Sequence, residues 1–286
     1  MFKFILRNWR GEYPFWTSLA VWSIAVPLLT YLVVTLWLTQ WSLQDTPVSR
    51  MAQGAIGFFL IGAVAIWQFV GMWRASTRER AADRWMGTRW LARSASLLVG
   101  AVGLLMLAPL PKGMSALYRE ATDQDWIGQQ GYDVSTEDTS LRINGYLAWG
   151  VLDKVSRALA ANPEIQTVVL NSPGGHVGVG TRLYDQIRAR GLDTSANELC
   201  ASACTLAYLG GAHRYIGRRA RLGFHAVGGD GDNSIGAGAG KVRALFRTTG
   251  IPDDFVERVF ATPFESAWYP KQSELLSANI VTDVTD

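Results

Sequence analysis

One stretch decides the fold of the C-terminal half: residues 167–175 read TVVLNSPGG. It closes a β-rich run that begins at Ile165, and such a short apolar run rich in β-branched residues is typical of a buried strand. Pro173, Gly174 and Gly175 then stop the strand, because proline lacks the N–H that a sheet needs and glycine permits sharp turns. The stretch therefore predicts a buried strand that ends in a turn whose backbone can approach another group closely.

Strands and helices alternate on both sides of this turn. Leu141–Leu147 predicts a strand before it, and the four-residue steps from Val179 to Leu183 and Ile187 predict a helix after it, over Gly178–Arg190. The other predicted strands are Thr194–Leu199, Arg221–Val227 and Ile280–Val284, and the other predicted helices begin near Val151, Ser202, Lys241 and Asp253. This alternation indicates one α/β domain with a largely parallel sheet over residues 141–286.

The N-terminal part of the chain has the composition of a membrane protein, because no charged residue lies between Glu12 and Asp45. An apolar helix needs about 20 residues to cross a bilayer, so an ordinary soluble core is a poor explanation of this run. Three stretches predict transmembrane helices, at about 15–41, 51–73 and 91–111. We therefore expect a membrane domain over residues 1–111, with the lipid bilayer as its partner, and a polar linker over residues 112–140.

The charges differ between the two parts and predict a topology. Residues 1–111 carry 10 Lys+Arg against 4 Asp+Glu, whereas residues 112–286 carry 17 against 20. The basic N-terminus and the arginine-rich segment between Arg74 and Arg93 should stay cytoplasmic. Three crossings then place the C-terminal domain in the periplasm, outside the bacterial inner membrane. Because topology explains the arginines, we expect no nucleic-acid partner.

Three segments carry the candidate chemistry: Asn171–Gly175, Cys200–Cys204 with Ser202 at its centre, and Gly223–His225. Each alone has a structural explanation, as a turn, a helix N-cap or a histidine in the core. The two cysteines are either a disulfide of an oxidising compartment or two small buried apolar residues. They do not supply enough ligands for a metal site.

In this order and spacing the segments resemble the proteolytic subunit of the Clp protease and its relatives in the ClpP/crotonase superfamily. The resemblance covers residues 140–284, and the Cys-x-Ser-x-Cys pattern behind membrane spans looks closer to a membrane-anchored branch. It implies an α/β domain of stacked β-β-α units that acts as a serine peptidase on peptide or protein substrates, without a cofactor. The ring assemblies of the soluble relatives make a homo-oligomer an open expectation.

The resemblance also assigns roles to individual residues. Ser202 would be the nucleophile at a helix N-terminus, and His225 would be the general base. The backbone N–H groups of Gly175 and Ala203 would form the oxyanion hole.

An extended substrate is expected to pair with the strand edge that follows the turn. Gly174, His176 and Val177 are the predicted substrate-binding residues, although His176 could instead be simply exposed at a helix start.

The acidic member of the triad is left open by the sequence. A gapless register places Thr282 in its slot, a slipped strand would bring in Asp283, and a Ser–His dyad would need neither. Two other functions compete with the peptidase. One is a non-catalytic membrane scaffold that kept the fold, and the other is a crotonase-like acyl-thioester enzyme, which an extracytoplasmic location disfavours.

Overall fold

The computed structural model describes residues 2–14, 17–39, 46–78, 86–107, 110–228 and 237–285. The chain divides into two compact units. The first comprises residues 1–41 and 48–117, and the second comprises residues 42–47 and 118–286.

The first unit is helical in its described part. Its helices are α1 (Phe2–Trp9), α2 (Ser18–Ala25), α3 (Val26–Thr39), α4 (Pro47–Arg78), α5 (Met86–Leu107) and α6 (Leu110–Ala121), the last of which ends in the second unit. α2 is a π-helix that passes directly into α3. Pro27 has no N–H to donate, and the N–H of Val26 bonds to the Val21 carbonyl five residues back, so the helix widens at this point.

The prediction of three membrane spans is confirmed only in part by this unit. In the part of the chain that the structure describes, one helix, Pro47–Thr77 within α4, is long and apolar enough to cross a membrane. The span predicted at 15–41 is divided between α2 and α3, of 8 and 14 residues, each shorter than a crossing requires. The span predicted at 91–111 lies mostly in α5, which begins earlier, at Met86. Residues 15, 16, 40, 41, 108 and 109 of these spans lie outside the described residues.

The second unit is mixed α/β with a mostly parallel sheet, as the alternating pattern predicted. Its main sheet has the order β1-β2-β3-β4-β6-β8, in which only the β1–β2 pair is antiparallel. The strands are β1 (Tyr132–Glu137), β2 (Ser140–Gly145), β3 (Thr167–Asn171), β4 (Asp193–Ala196), β5 (Leu199–Ala201), β6 (Arg214–Gly217), β7 (Arg221–Gly223) and β8 (Asp283–Thr285). The helices of this unit after α6 are α7 (Trp126–Gln129), α8 (Gly150–Ala161), α9 (Val177–Ala189), α10 (Ala203–Tyr208), α11 (Ala237–Thr248), α12 (Asp253–Ala261) and α13 (Gln272–Ser277).

The core of the second unit lies between the sheet and its helices. In β2 and β3, Leu141 pairs with Val168 and Ile143 with Leu170, and all four side chains are fully buried. α9 and α10 can pack closely because Gly180 has no side chain, and a Cβ at this position would overlap the Ala203 carbonyl.

The predicted linker over residues 112–140 is instead mostly folded into the second unit. It contains the end of α6, α7 and strand β1, which pairs with β2 along its whole length. Asp123 accepts hydrogen bonds from the Gly150 N–H (3.0 Å) and from the Tyr132 hydroxyl (2.8 Å). Burial and this hydrogen bond raise the pKa of Tyr132 to about 12. The polar residues that suggested a linker are therefore partners for backbone and side-chain groups.

A second, two-stranded sheet positions the site. β5 and β7 run parallel, with Ala201 opposite Gly223, and an isolated bridge joins Cys200 to Ser172 after β3. The residues that follow β3, β5 and β7 therefore meet at one edge, as the carboxyl ends of parallel strands do.

Candidate active site

Ser202 lies in a strained backbone conformation between β5 and α10. Its φ is 56° and its ψ is −128°, a region that residues with a Cβ rarely adopt. The Ser202 N–H donates to the Gly223 carbonyl (2.8 Å), and its own carbonyl accepts from the N–H and the hydroxyl of Thr205. A serine at a strained turn from strand to helix is the geometry that presents a nucleophile to a substrate. The side chain of Ser202 caps no helix N–H, so its Oγ is not committed to that structural role.

The Pro-Gly-Gly turn packs directly against Ser202. Gly174 has a φ of 115°, and a Cβ at this position would lie 2.6 Å from the Ser202 Cβ. Gly175 has a φ of 147°, and a Cβ there would lie 2.6 Å from the Leu147 carbonyl oxygen. Both positions therefore require glycine, as the sequence predicted for a turn that approaches another group.

The two predicted oxyanion-hole N–H groups make no hydrogen bond within the described part of the chain. The Gly174 carbonyl accepts from the Leu147 N–H (2.8 Å). A trans peptide holds its C=O and N–H in opposite directions, so the Gly175 N–H points away from Leu147. Ala203 is the first residue of α10, where a backbone N–H has no partner inside the helix.

His225 is held by backbone rather than by a carboxylate. Its Nδ1 lies 2.6 Å from the Ala226 carbonyl oxygen, which can only accept, so the proton of a neutral ring is assigned to Nδ1 and Nε2 is left basic. Phe264 contacts the ring edge-to-face at 5.1 Å. Phe224 and Ala226 on either side are bonded to Trp268 and Thr262, which fixes the backbone that carries the imidazole.

Among the described residues, no hydrogen bond joins either candidate for the third triad member to His225. The Thr282 hydroxyl accepts from the Arg214 N–H at 2.9 Å, and the Thr282 N–H donates to the Arg214 carbonyl. Asp283 is exposed in β8, opposite Tyr215 on the main sheet. Thr282, the residue before β8, is thus bonded to the start of β6, and the third member of the triad stays a prediction.

One cavity of about 450 Å³ brings the other predicted site residues together. Its walls include Ser202, His225, Gly175, Ala203, His176 and Val177. The remaining walls are almost entirely apolar, and among them are Ile127, Leu206, Phe224, Val242, Phe246, Val259 and Phe264. The chemistry-bearing groups therefore face a mostly apolar space large enough for a side chain of a substrate.

His176 is part of this wall and is not simply exposed, since its side chain is only 16% accessible. Gly174, the remaining predicted substrate-binding residue, is buried under Ser202 and is absent from the cavity wall in this structure. Its contribution is steric, because it leaves room for the Ser202 side chain.

Cys200 and Cys204 form a disulfide that brackets Ser202. Both residues are fully buried, and their Cα atoms are 5.3 Å apart. The bond joins the last part of β5 to the first turn of α10, so it closes a short covalent ring around the strained residue.

Sequence reasoning missed two kinds of group at this site. The Ala226 carbonyl orients His225, and a backbone carbonyl has no sequence signature. Ile127 of α7 lines the cavity, and Asp125 begins that helix by accepting from the Gly128 N–H, a capping pattern that could have predicted the helix start.

Comparison with known proteins adds a likeness to solved structures. No protein-family model and no curated protein matches the chain. ClpP1 from Listeria monocytogenes is similar at 20% identity with a TM-score of 0.45, and a mutant of ClpP1 from the same organism is similar at 20% identity with a TM-score of 0.43. In each comparison the similarity covers 52% of this chain and 92% of that chain. The candidate site therefore rests on its own geometry.

Proposed function

We propose that the protein is a membrane-anchored serine peptidase of the ClpP-like class, with Ser202 as nucleophile and His225 as general base. The observation that carries the proposal is the strained Ser202, which shares one cavity with His225 and with the N–H groups of Gly175 and Ala203. A strained residue persists only when its surroundings enforce the conformation, and such residues cluster at active sites.

The reaction follows from these positions. The Ser202 Oγ attacks the carbonyl carbon of a peptide bond while its proton moves to the His225 Nε2. The carbonyl oxygen becomes an oxyanion, which the N–H groups of Gly175 and Ala203 stabilise. The C–N bond then breaks, and the Nε2 proton passes to the leaving amine. Water then attacks the acyl carbon while its proton moves to Nε2. The bond between that carbon and the Ser202 Oγ breaks, and Nε2 returns the proton to Oγ.

We describe the site as a Ser–His dyad. The Ala226 carbonyl takes the orienting role that an acid has in a triad, because it holds Nδ1–H and leaves the Nε2 lone pair to accept the Ser202 proton. No hydrogen bond joins the Ser202 Oγ to His225 in the described structure. Catalytic hydrogen bonds often tighten only when substrate binds. We therefore expect the bond between the Ser202 Oγ and the His225 Nε2 to form when a peptide occupies the cavity.

The membrane part of the proposal uses three crossings and an extracytoplasmic catalytic domain. α2 and α3 together form one continuous, uncharged helical segment, and α5 has 22 residues. The joined α2–α3 segment and α5 are therefore the two candidate crossings besides α4. The Cys200–Cys204 disulfide supports an oxidising compartment for the second unit. An alkaline phosphatase fused after Thr285 should be active in a bacterial host, and activity only of a cytoplasmic reporter at the same point would refute this orientation.

The nucleophile is tested with a fluorophosphonate probe on the full chain in detergent. We expect covalent labelling at Ser202 and loss of labelling in Ser202→Ala. Ser195→Ala is the matched control, since Ser195 lies in β4 away from the cavity and should leave labelling unchanged. Labelling that persists in Ser202→Ala would remove Ser202 from the mechanism.

Among the described residues, neither Thr282 nor Asp283 is hydrogen-bonded to His225, and this favours one competing function, the non-catalytic scaffold. The same experiment separates the two. A wild-type protein that is folded, unlabelled by the probe and inactive on a library of peptides would support the scaffold and refute the peptidase.

A further inference from the structure

His176 is the residue that follows the oxyanion-hole glycine, and its side chain is enclosed rather than solvated. Its ring packs on the Trp149 ring at 5.8 Å between centroids, with the planes tilted by 34°. Its backbone N–H donates to the Leu147 carbonyl at 3.0 Å. The proposed reaction uses neither ring nitrogen of His176, so this buried polar side chain calls for another role.

Two carboxylates clamp the imidazole from the segment that leads into the domain. Nε2 lies 3.0 Å from an Asp125 carboxylate oxygen, and Nδ1 lies 3.8 Å from a Glu120 oxygen. The closer pair is a polar contact rather than an aligned hydrogen bond, because Nε2 lacks a partner in hydrogen-bond geometry.

Both carboxylates are themselves held in place. The other Asp125 oxygen accepts from the Gly128 N–H (3.1 Å), and the Glu120 oxygen accepts from the Trp149 indole N–H (2.9 Å). The clamp is therefore preorganised on two sides of the histidine, by the start of α7 and by the ring on which the histidine packs.

The clamp acts on the same backbone that aims the oxyanion-hole donor. Leu147 bonds to Gly174 on one side of Gly175 and to His176 on the other. The two peptide groups around Gly175 are thus fixed to Leu147, and the His176 side chain is the next anchor along the chain. A glycine with a φ of 147° has no side chain of its own to hold its peptide plane.

We propose that His176, clamped by Asp125 and Glu120, is a positioning residue that keeps the Gly175 N–H aimed at the oxyanion. The proposal deepens the peptidase function and rests on it. It makes the segment from Glu120 to Gly128 a part of the catalytic unit, so that the site is incomplete without the chain that precedes the predicted domain.

The test measures kcat and KM on a peptide substrate for the full chain and for two variants, His176→Gln and Asp125→Asn. We expect kcat to fall by about 10- to 100-fold, the size of effect that misplacing a catalytic donor produces. KM should change by less than about threefold, because the Gly175 donor serves the transition state more than the bound substrate. Affinity for a peptide boronic acid, whose Ser202 adduct carries an oxyanion, should fall in parallel with kcat.

The matched control is His213→Gln. His213 stacks on Tyr215 and lies outside the cavity wall, so its loss should leave kcat and boronate affinity unchanged. Asp125→Asn keeps the shape of the side chain and supplies the answer if His176→Gln does not fold.

The outcomes separate the two proposals. A folded wild-type protein that is not labelled at Ser202 refutes the peptidase and the positioning role together. Wild-type labelling with unchanged kcat in both variants overturns the role of His176 alone. A fall in kcat that His213→Gln shares, or that comes with an equal loss of ground-state peptide binding, assigns the effect to general destabilisation and overturns it as well.

Discussion

The strained backbone of Ser202 predicts that Ser202→Gly raises the stability of the folded protein while it removes the proposed activity. In Ser202→Gly the Cβ disappears and a φ of 56° with a ψ of −128° becomes acceptable. Relief of such strain contributes about 1–3 kcal/mol, and the greater freedom of glycine in the unfolded chain removes about 0.5–1 kcal/mol. The midpoints of these ranges, about 2 and about 0.8 kcal/mol, leave a net gain of about 1.2 kcal/mol, which should raise the Tm by about 2–5 °C for a domain of this size.

Ser202→Ala separates the strain from the loss of the hydroxyl. Alanine removes Oγ but keeps Cβ, so both variants should be inactive and only Ser202→Gly should be more stable. Differential scanning fluorimetry of the full chain in detergent, with near-UV circular dichroism to assign the transition of the second unit, measures the difference. If Ser202→Gly melts at or below the temperature of Ser202→Ala, the conformation carries no strain and the argument for an enforced nucleophile is lost.

Three further predictions follow from the second unit. Replacing both Cys200 and Cys204 by Ala should lower the free energy of unfolding by about 2 kcal/mol, the loop-closure value for so short a ring. A reductant should lower the wild-type Tm to that of the double variant and leave the variant's Tm unchanged, and a wild-type Tm insensitive to complete reduction would contradict this. Asp283→Asn should retain the wild-type kcat in peptide hydrolysis because this exposed carboxylate is not hydrogen-bonded to His225, whose Nδ1 is held by Ala226; a 100-fold loss would restore Asp283 as a triad member. Since the pKa of Tyr132 is raised from 10.0 to about 12, its stabilising contribution is complete below pH 10 and is lost as the pH rises through 12. The urea midpoint should therefore fall less between pH 9 and pH 11.5 in Tyr132→Phe than in wild type, and an equal fall in both proteins would refute the assignment.

The parts of the fold that the sequence predicted are those that local patterns determine. The steps from Val179 to Ile187 identified α9, and the Pro-Gly-Gly stop located the turn beside Ser202, because period and turn chemistry act within a few residues. Strand β1 was missed, since its alternate exposed residues Asp133 and Ser135 give a polar edge strand the composition of a linker.

The third triad member illustrates what local patterns cannot give. Thr282 lies in the right place along the chain, but a histidine's partner is decided by which strand pairs with which. β8 pairs with β6, and Thr282, the residue before β8, accepts a hydrogen bond from the Arg214 N–H. The group that orients His225 is a main-chain carbonyl, which every residue type provides equally. Register and strand order are properties of the whole sheet and leave no mark at a single position.

The disulfide around Ser202 has a consequence for the biogenesis of the protein. The chain has two cysteines, so there is one intramolecular pairing and no scrambled isomer to correct. Its partners are four residues apart, so oxidation can occur as soon as this short segment emerges, before distant strands have assembled. A chain held in a reducing compartment can build its main sheet, yet it lacks the covalent ring around the strained Ser202.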